Sequence, residues 1–132
     1  MQEKHLFEYA VIRVVPMVER EEFLNVGVVL FCKDLRFLET RWRMDGARLQ
    51  AFSPSLDIGS IEEYLRAFEA ICKGGKNGGP IGQLAIAERF RWLTATRSTV
   101  VQTSKVHPGL CTASPVDTLE KLYRQLVEPV TK

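Results

Sequence analysis

The order of periodicities along this chain predicts an α+β domain, in which a mainly antiparallel sheet forms early and is packed by helices that come later. Three observations carry that reading. Two apolar runs rich in β-branched residues, FEYAVIRVV from Phe7 and NVGVVLF from Asn25, flank a charged connection. Helical spacing of apolar residues takes over after Pro54, with start signals at Ser60 and at Ser114-Pro115. Strands and helices do not alternate strictly, which disfavours a doubly wound parallel fold.

The first strand is expected from Phe7 to Val15. Ala10, Ile12 and Val14 point one way and Tyr9, Val11, Arg13 and Val15 the other, so both faces are largely apolar. A strand of that kind belongs in the middle of a sheet covered on both sides. Pro16 and the cluster Glu19-Arg20-Glu21-Glu22 suit a solvated turn, and Asn25 to Cys32 returns antiparallel. Arg36 to Arg43 reads as a third strand. Its Phe37, Glu39, Arg41 and Arg43 face becomes polar towards the end, which places it nearer an edge.

Asp45 to Phe52 has short-helix character and is limited by Pro54. The next helix is the clearest: Ser60 and Glu63 form an S-x-x-E capping box, and Ile61, Leu65, Phe68 and Cys72 make its apolar stripe. Lys73-Gly74 is its expected stop. Residues 74–80 read as a flexible glycine-rich loop. The run GGKNGG ends in Pro80, not in the Lys-Ser or Lys-Thr that a phosphate-binding loop requires. One helix from Ile81 to Leu93, a strand from Thr99 to Ser104, and a turn at His107-Pro108-Gly109 are expected next. Ser114 then caps a final helix with Val116, Leu119, Tyr123, Leu126 and Val127 on its buried stripe and Pro129 at its end.

A chain of 132 residues fits one domain, 1–132, with one core. Hydrophobic content of 45% with 26% charged residues argues against wholesale disorder, and a net charge of +2 does not by itself select nucleic acid as a partner. Cys32, Cys72 and Cys111 are widely separated and odd in number, so no disulfide framework is expected. These cysteines and two scattered histidines offer no paired metal-ligand spacing, and no cofactor or metal is expected. The charged N-terminus lacks a secretory pattern and no apolar run is long enough to span a bilayer, so a reducing cytoplasm is the expected location.

Chemistry has few places to reside. Arg13 interrupts an apolar strand, where a buried charge needs a carboxylate or an anionic ligand; the structural reading is that the strand's end is wet or that a glutamate such as Glu22 satisfies it, and the functional one is anion binding. Arg89 to Val116 contains Arg89, Arg91, Arg97, Lys105 and His107 and no acid. With Arg41, Arg43 and Arg48, and with Trp42 and Trp92 as stacking surfaces, the 89–107 span is a candidate phosphate- or nucleic-acid-binding face, unless acids from elsewhere in the fold neutralise it. Gln102, Ser104 and His107 lie at a strand end and the following turn, where ligand-facing groups often sit. On this reading Arg97, Gln102 and His107 share a surface whose affinity for an anion rises as pH falls and His107 gains charge; alternatively Arg97 pairs with an acid on a neighbouring helix. His107 is also the candidate acid or base for an enzyme, yet no catalytic constellation accompanies it.

The segments YAVIRVVPMVEREEFLNVGVVLFC, from Tyr9 to Cys32, and ERFRWLTATRSTVVQTSKVHPGLC, from Glu88 to Cys111, resemble a bacterial family of unknown function, the domain of unknown function numbered thirty thirty-seven. The likeness covers most of the chain and extends to the pattern around Arg13, Asn25, Gly27, Arg97, Gln102, Ser104 and His107. The resemblance implies no catalytic residues. As a partner it implies a kinase of the HipA-like class, found in some toxin and antitoxin pairs, whose genes neighbour those of such proteins. A non-catalytic interaction or accessory protein is therefore the expected function. A phosphate- or nucleic-acid-binding module is the first alternative and an enzyme using His107 the second. The sites to follow are Arg13, Arg97, Gln102, Ser104 and His107.

Overall fold

A computed structural model describes residues 3–129. Its centre is an antiparallel sheet built on β1 (His5–Val14), the longest strand, which is flanked on one side by β2 (Leu24–Cys32) and then β3 (Phe37–Trp42). The other side of β1 is shared. β4 (Val101–Thr103) pairs with Ile12 to Val14 and β5 (His107–Cys111) with His5 to Tyr9, both antiparallel. The predicted central pair and the edge position of the third strand are present. The predicted turn at His107-Pro108-Gly109 is not: these residues open β5. Pro108 is compatible with that place because β5 is an edge strand, where a missing N–H need not break a ladder.

The alternation along β1 divides the core into two. On one face Ala10, Ile12 and Val14 join Val26, Val29, Phe31 and Val101 beneath three helices. These are α1 (Gly46–Phe52), α2 (Ile58–Lys73) and α4 (Ile86–Leu93), which contribute Leu49; Ile61, Leu65 and Phe68; and Phe90 and Leu93. On the other face Phe7, Val28, Leu30 and Cys32 are covered by Leu119, Tyr123 and Val127, from α5 (Pro115–Leu126) and its C-cap. Alternating strand residues are apolar on both faces for this reason.

Local chemistry explains most helix ends. Ser114 accepts the Asp117 N–H and Pro115 takes the first helical position of α5. Asp45 caps α1 by accepting the Arg48 N–H. The cap of α2 is Asp57, not the predicted Ser60; its carboxylate accepts the Ser60 N–H and hydroxyl, bonds that hold the carboxyl below its ordinary pKa. Ser60 and Glu63 thus lie inside the first turns. α2 ends as predicted at Lys73, where Gly74 has φ 76° and Arg89 donates to the Ile71 and Cys72 carbonyls.

Residues 74–80 contain a 3-10 turn, Lys76–Gly78, and the start of α3 (Gly79–Gly82), tied back by the Gly75 N–H to the Gly82 carbonyl at 2.8 Å. The helix expected from Ile81 to Leu93 is broken after Gly82 and restarts at Ile86, because glycine and the exposed Gln83-Leu84-Ala85 link do not sustain it. Val116, expected in the buried stripe of the last helix, is 55% exposed. Among the described residues no helix is long and apolar enough to cross a membrane.

Candidate functional site

Arg13 lies near the end of β1 on the face covered by α5. Its neighbours across the two ladders are Asn25 on β2 and Gln102 on β4, so three polar side chains form a row across the centre of the sheet. The row depends on a bulge. The register is Ile12 with Gly27 but Arg13 with Asn25, which leaves Val26 as an extra residue that turns back into the opposite core. In a regular register Val26 would stand opposite Arg13 and Asn25 would fall on the other face. Its amide instead donates to the Leu126 carbonyl, 3.0 Å away at the end of α5.

The Arg13 guanidinium is poorly satisfied. Its Cζ sits 3.9 Å from the centroid of the Phe23 ring, a cation–π contact. Its Nε is buried with no hydrogen-bond partner, and among the described residues it forms no ion pair. Glu22, the carboxylate expected to satisfy it, pairs with Arg20 instead, two residues away on the same connection. Burial holds the Arg13 pKa below the ordinary arginine value. Beside it the Asn25 Oδ1 is also buried without a partner.

Ser104 closes the seam between β4 and β5. Its N–H donates to the Val11 carbonyl, and its hydroxyl accepts the Val11 N–H, each at 2.8 Å. The hydroxyl therefore takes the place its own carbonyl would hold in a regular ladder, and donates in turn to the Lys105 carbonyl. The chain can leave the sheet at Lys105 and rejoin it at His107 with the Val11 N–H and carbonyl both satisfied. His107 is exposed opposite Tyr9, with ring centroids 5.3 Å apart, roughly 13 Å along β1 from Arg13.

The basic span is largely committed to the fold. Arg89 caps α2, as described, and Arg97 donates to the Leu93 and Trp92 carbonyls at the end of α4 with its Cζ 4.3 Å from the Trp92 ring centroid. Arg97 thus holds a helix terminus on the opposite layer from Arg13 and Gln102, and it pairs with no acid among the described residues. Arg91 and Lys105 remain exposed, and Arg41 meets Glu120 of α5 at 3.5 Å. Of the residues singled out in the sequence, the fold brings Arg13 and Gln102 together, makes Ser104 their neighbour in the seam, and keeps Arg97 and His107 apart from them.

The cysteines are buried and free, and burial pushes the Cys72 thiol far above its ordinary pKa. Among the described residues no three His, Cys, Asp or Glu side chains are placed to hold a metal. Sequence reasoning missed Phe23 and the placement of Asn25. An asparagine in a run of valines was a signal for the second; nothing local announces that Phe23 will lie under Arg13.

A two-faced α+β sheet with an unsatisfied cation at one end of its central strand defines the class. The chain belongs to the family described as Protein of unknown function (DUF3037), which matches residues 9–127. No curated protein and no solved structure matches it.

Proposed function

We propose that this is a non-catalytic interaction or accessory protein that docks a protein partner on the end of the sheet around Pro16. One observation carries the reading: Met17, Phe52 and Val100, large apolar side chains 36–51% exposed, come from three separate segments to the surface around Pro16. Pro16 lies in two depressions there. One of about 410 Å³ is lined by Leu56, Ile61, Tyr64 and Val100, and one of about 280 Å³ by Met17, Phe52 and Pro54. Scattered apolar side chains need no explanation, whereas a group converging on one rim is the usual mark of a binding surface.

Arg13 lies three residues before Pro16 in the sequence, so the partner best suited to this end is a protein segment that combines apolar side chains with an acid. A HipA-like kinase is the first partner to test, on the strength of the family resemblance. Phosphate or nucleic-acid binding by the 89–107 span is less well supported, since Arg89 and Arg97 both serve helix termini. An enzyme using His107 has only the adjacent Tyr9 ring in its favour.

The test is co-purification with a HipA-like kinase from the same genome, comparing the wild type with Met17→Glu/Val18→Glu. Both positions are exposed, so the variant is expected to keep its thermal stability while kinase recovery falls about tenfold, the loss of roughly 1.4 kcal/mol. Undiminished recovery by the variant excludes this rim, and absence of a wild-type complex excludes this kinase class.

A further inference from the structure

We propose that Arg13, with Phe23 and Gln102 as its walls, is a recognition site for one carboxylate carried on a partner's acidic segment. The inference rests on the interaction reading for the source of the carboxylate, and on its own observations for the chemistry. Nothing in the described fold neutralises Arg13: its Nε is buried without an acceptor, and no acid lies within ion-pair distance. The side chain as a whole is only half-buried, and among the described residues its terminal nitrogens have no hydrogen-bond partner either. Phe23, 43% exposed, has its ring centroid 3.9 Å from the guanidinium carbon and covers one side of the intrinsically planar donor fork. Gln102 stands beside it across the ladder with its own amide anchored on the Thr99 carbonyl, a fixed lateral wall.

The surroundings select a carboxylate over a phosphate. Arg13 is the one cation of the polar row, whose other members, Asn25 and Gln102, are neutral. The C-terminal end of α5 lies beside the row, marked by the Asn25 bond to the Leu126 carbonyl. That is the negative end of the helix dipole, which works against any anion there and more strongly against a dianion than against a single negative charge. A planar monoanion matches the planar fork of one guanidinium, two parallel N–H···O bonds to two oxygens.

The probe is N-acetyl-glutamate N-methylamide, titrated into the whole protein and followed by NMR at the Arg13 side-chain N–H resonances and the Phe23 ring, with inorganic phosphate as the comparison. A saturable shift at both residues is expected, with phosphate roughly tenfold weaker. Arg13→Lys keeps the charge but removes the fork, and is expected to weaken the probe roughly tenfold while the remaining spectrum shows the fold intact. No saturable shift in the wild type, an unchanged affinity in Arg13→Lys, or tighter binding of phosphate would each overturn the proposal. Probe binding without any co-purifying partner would leave the carboxylate site standing and remove the interaction reading; a partner captured equally by wild type and Arg13→Lys would do the reverse.

Discussion

Ser104 shows how one hydroxyl can hold a topology together. Two short strands share one edge of β1 only because the Val11 N–H finds the Ser104 Oγ at the point where the ladder breaks. Ser104→Ala leaves a buried amide hydrogen without an acceptor and the Lys105 carbonyl without this donor. The expected loss is about 2 kcal/mol, read by urea unfolding, because an orphaned buried donor costs about 1–3 kcal/mol. A variant within about 0.5 kcal/mol of the wild type would mean that water or a shifted carbonyl replaces the hydroxyl. Arg13 is the counter-example, a residue the fold retains without satisfying. Arg13→Met is expected to raise stability by about 1 kcal/mol in the same assay, since it removes an unpaired, partly desolvated charge and keeps the apolar stem. A loss of stability instead would assign Arg13 a structural role.

At the scale of elements, the decisive contact is between β2 and β3. A Cβ on Gly27 would meet the Trp42 Cβ at 2.8 Å and the Arg41 carbonyl oxygen at 2.9 Å, neither of which can move without moving β3 itself. Gly27→Ala is therefore expected to cost about 3 kcal/mol, as overpacking at a rigid contact does, and to shift the urea midpoint accordingly. The bulge at Val26 directly beside it serves the site. It supplies the one-residue slip that puts Asn25 on Arg13's face while Val26 stays in the core. The helices show a second regularity, in that arginines from beyond their last residues finish them. Arg89 ends α2 and Arg97 ends α4, which is why an acid-free stretch need not be a free positive surface.

The whole molecule is one sheet covered from both sides by different parts of the chain. α1, α2 and α4 lie on one face and the C-terminal α5 on the other, so neither layer has a core without β1 and β2. Unfolding is expected to be a single transition, with tryptophan fluorescence, which reports Trp42 and Trp92 on the first side, coinciding with far-ultraviolet circular dichroism. Leu119→Ala, on the second side, should then move both probes together by about 3 kcal/mol. Separated transitions would show that α5 detaches independently.

What the chain determined by itself was its elements: alternation marked β1, β2 and β3, the 3.6-residue period marked α2 and α5, Ser114 marked the start of α5, and β1 could be recognised as central because both its faces are apolar. Those signals are local, carried by residues within one strand or one turn of each other. The rest depended on partners far along the chain. His107-Pro108-Gly109 has turn composition, and only pairing with Phe7 to Tyr9 makes it a strand. Arg89 looks like free charge until the end of α2 presents unpaired carbonyls to it. Arg13 was conspicuous from the start, but which residues stand beside it was decided by a one-residue slip in the β1–β2 register and by the return of β4 about 90 residues later. Register and long-range pairing are settled by the packing of both cores at once, and no single segment contains that information.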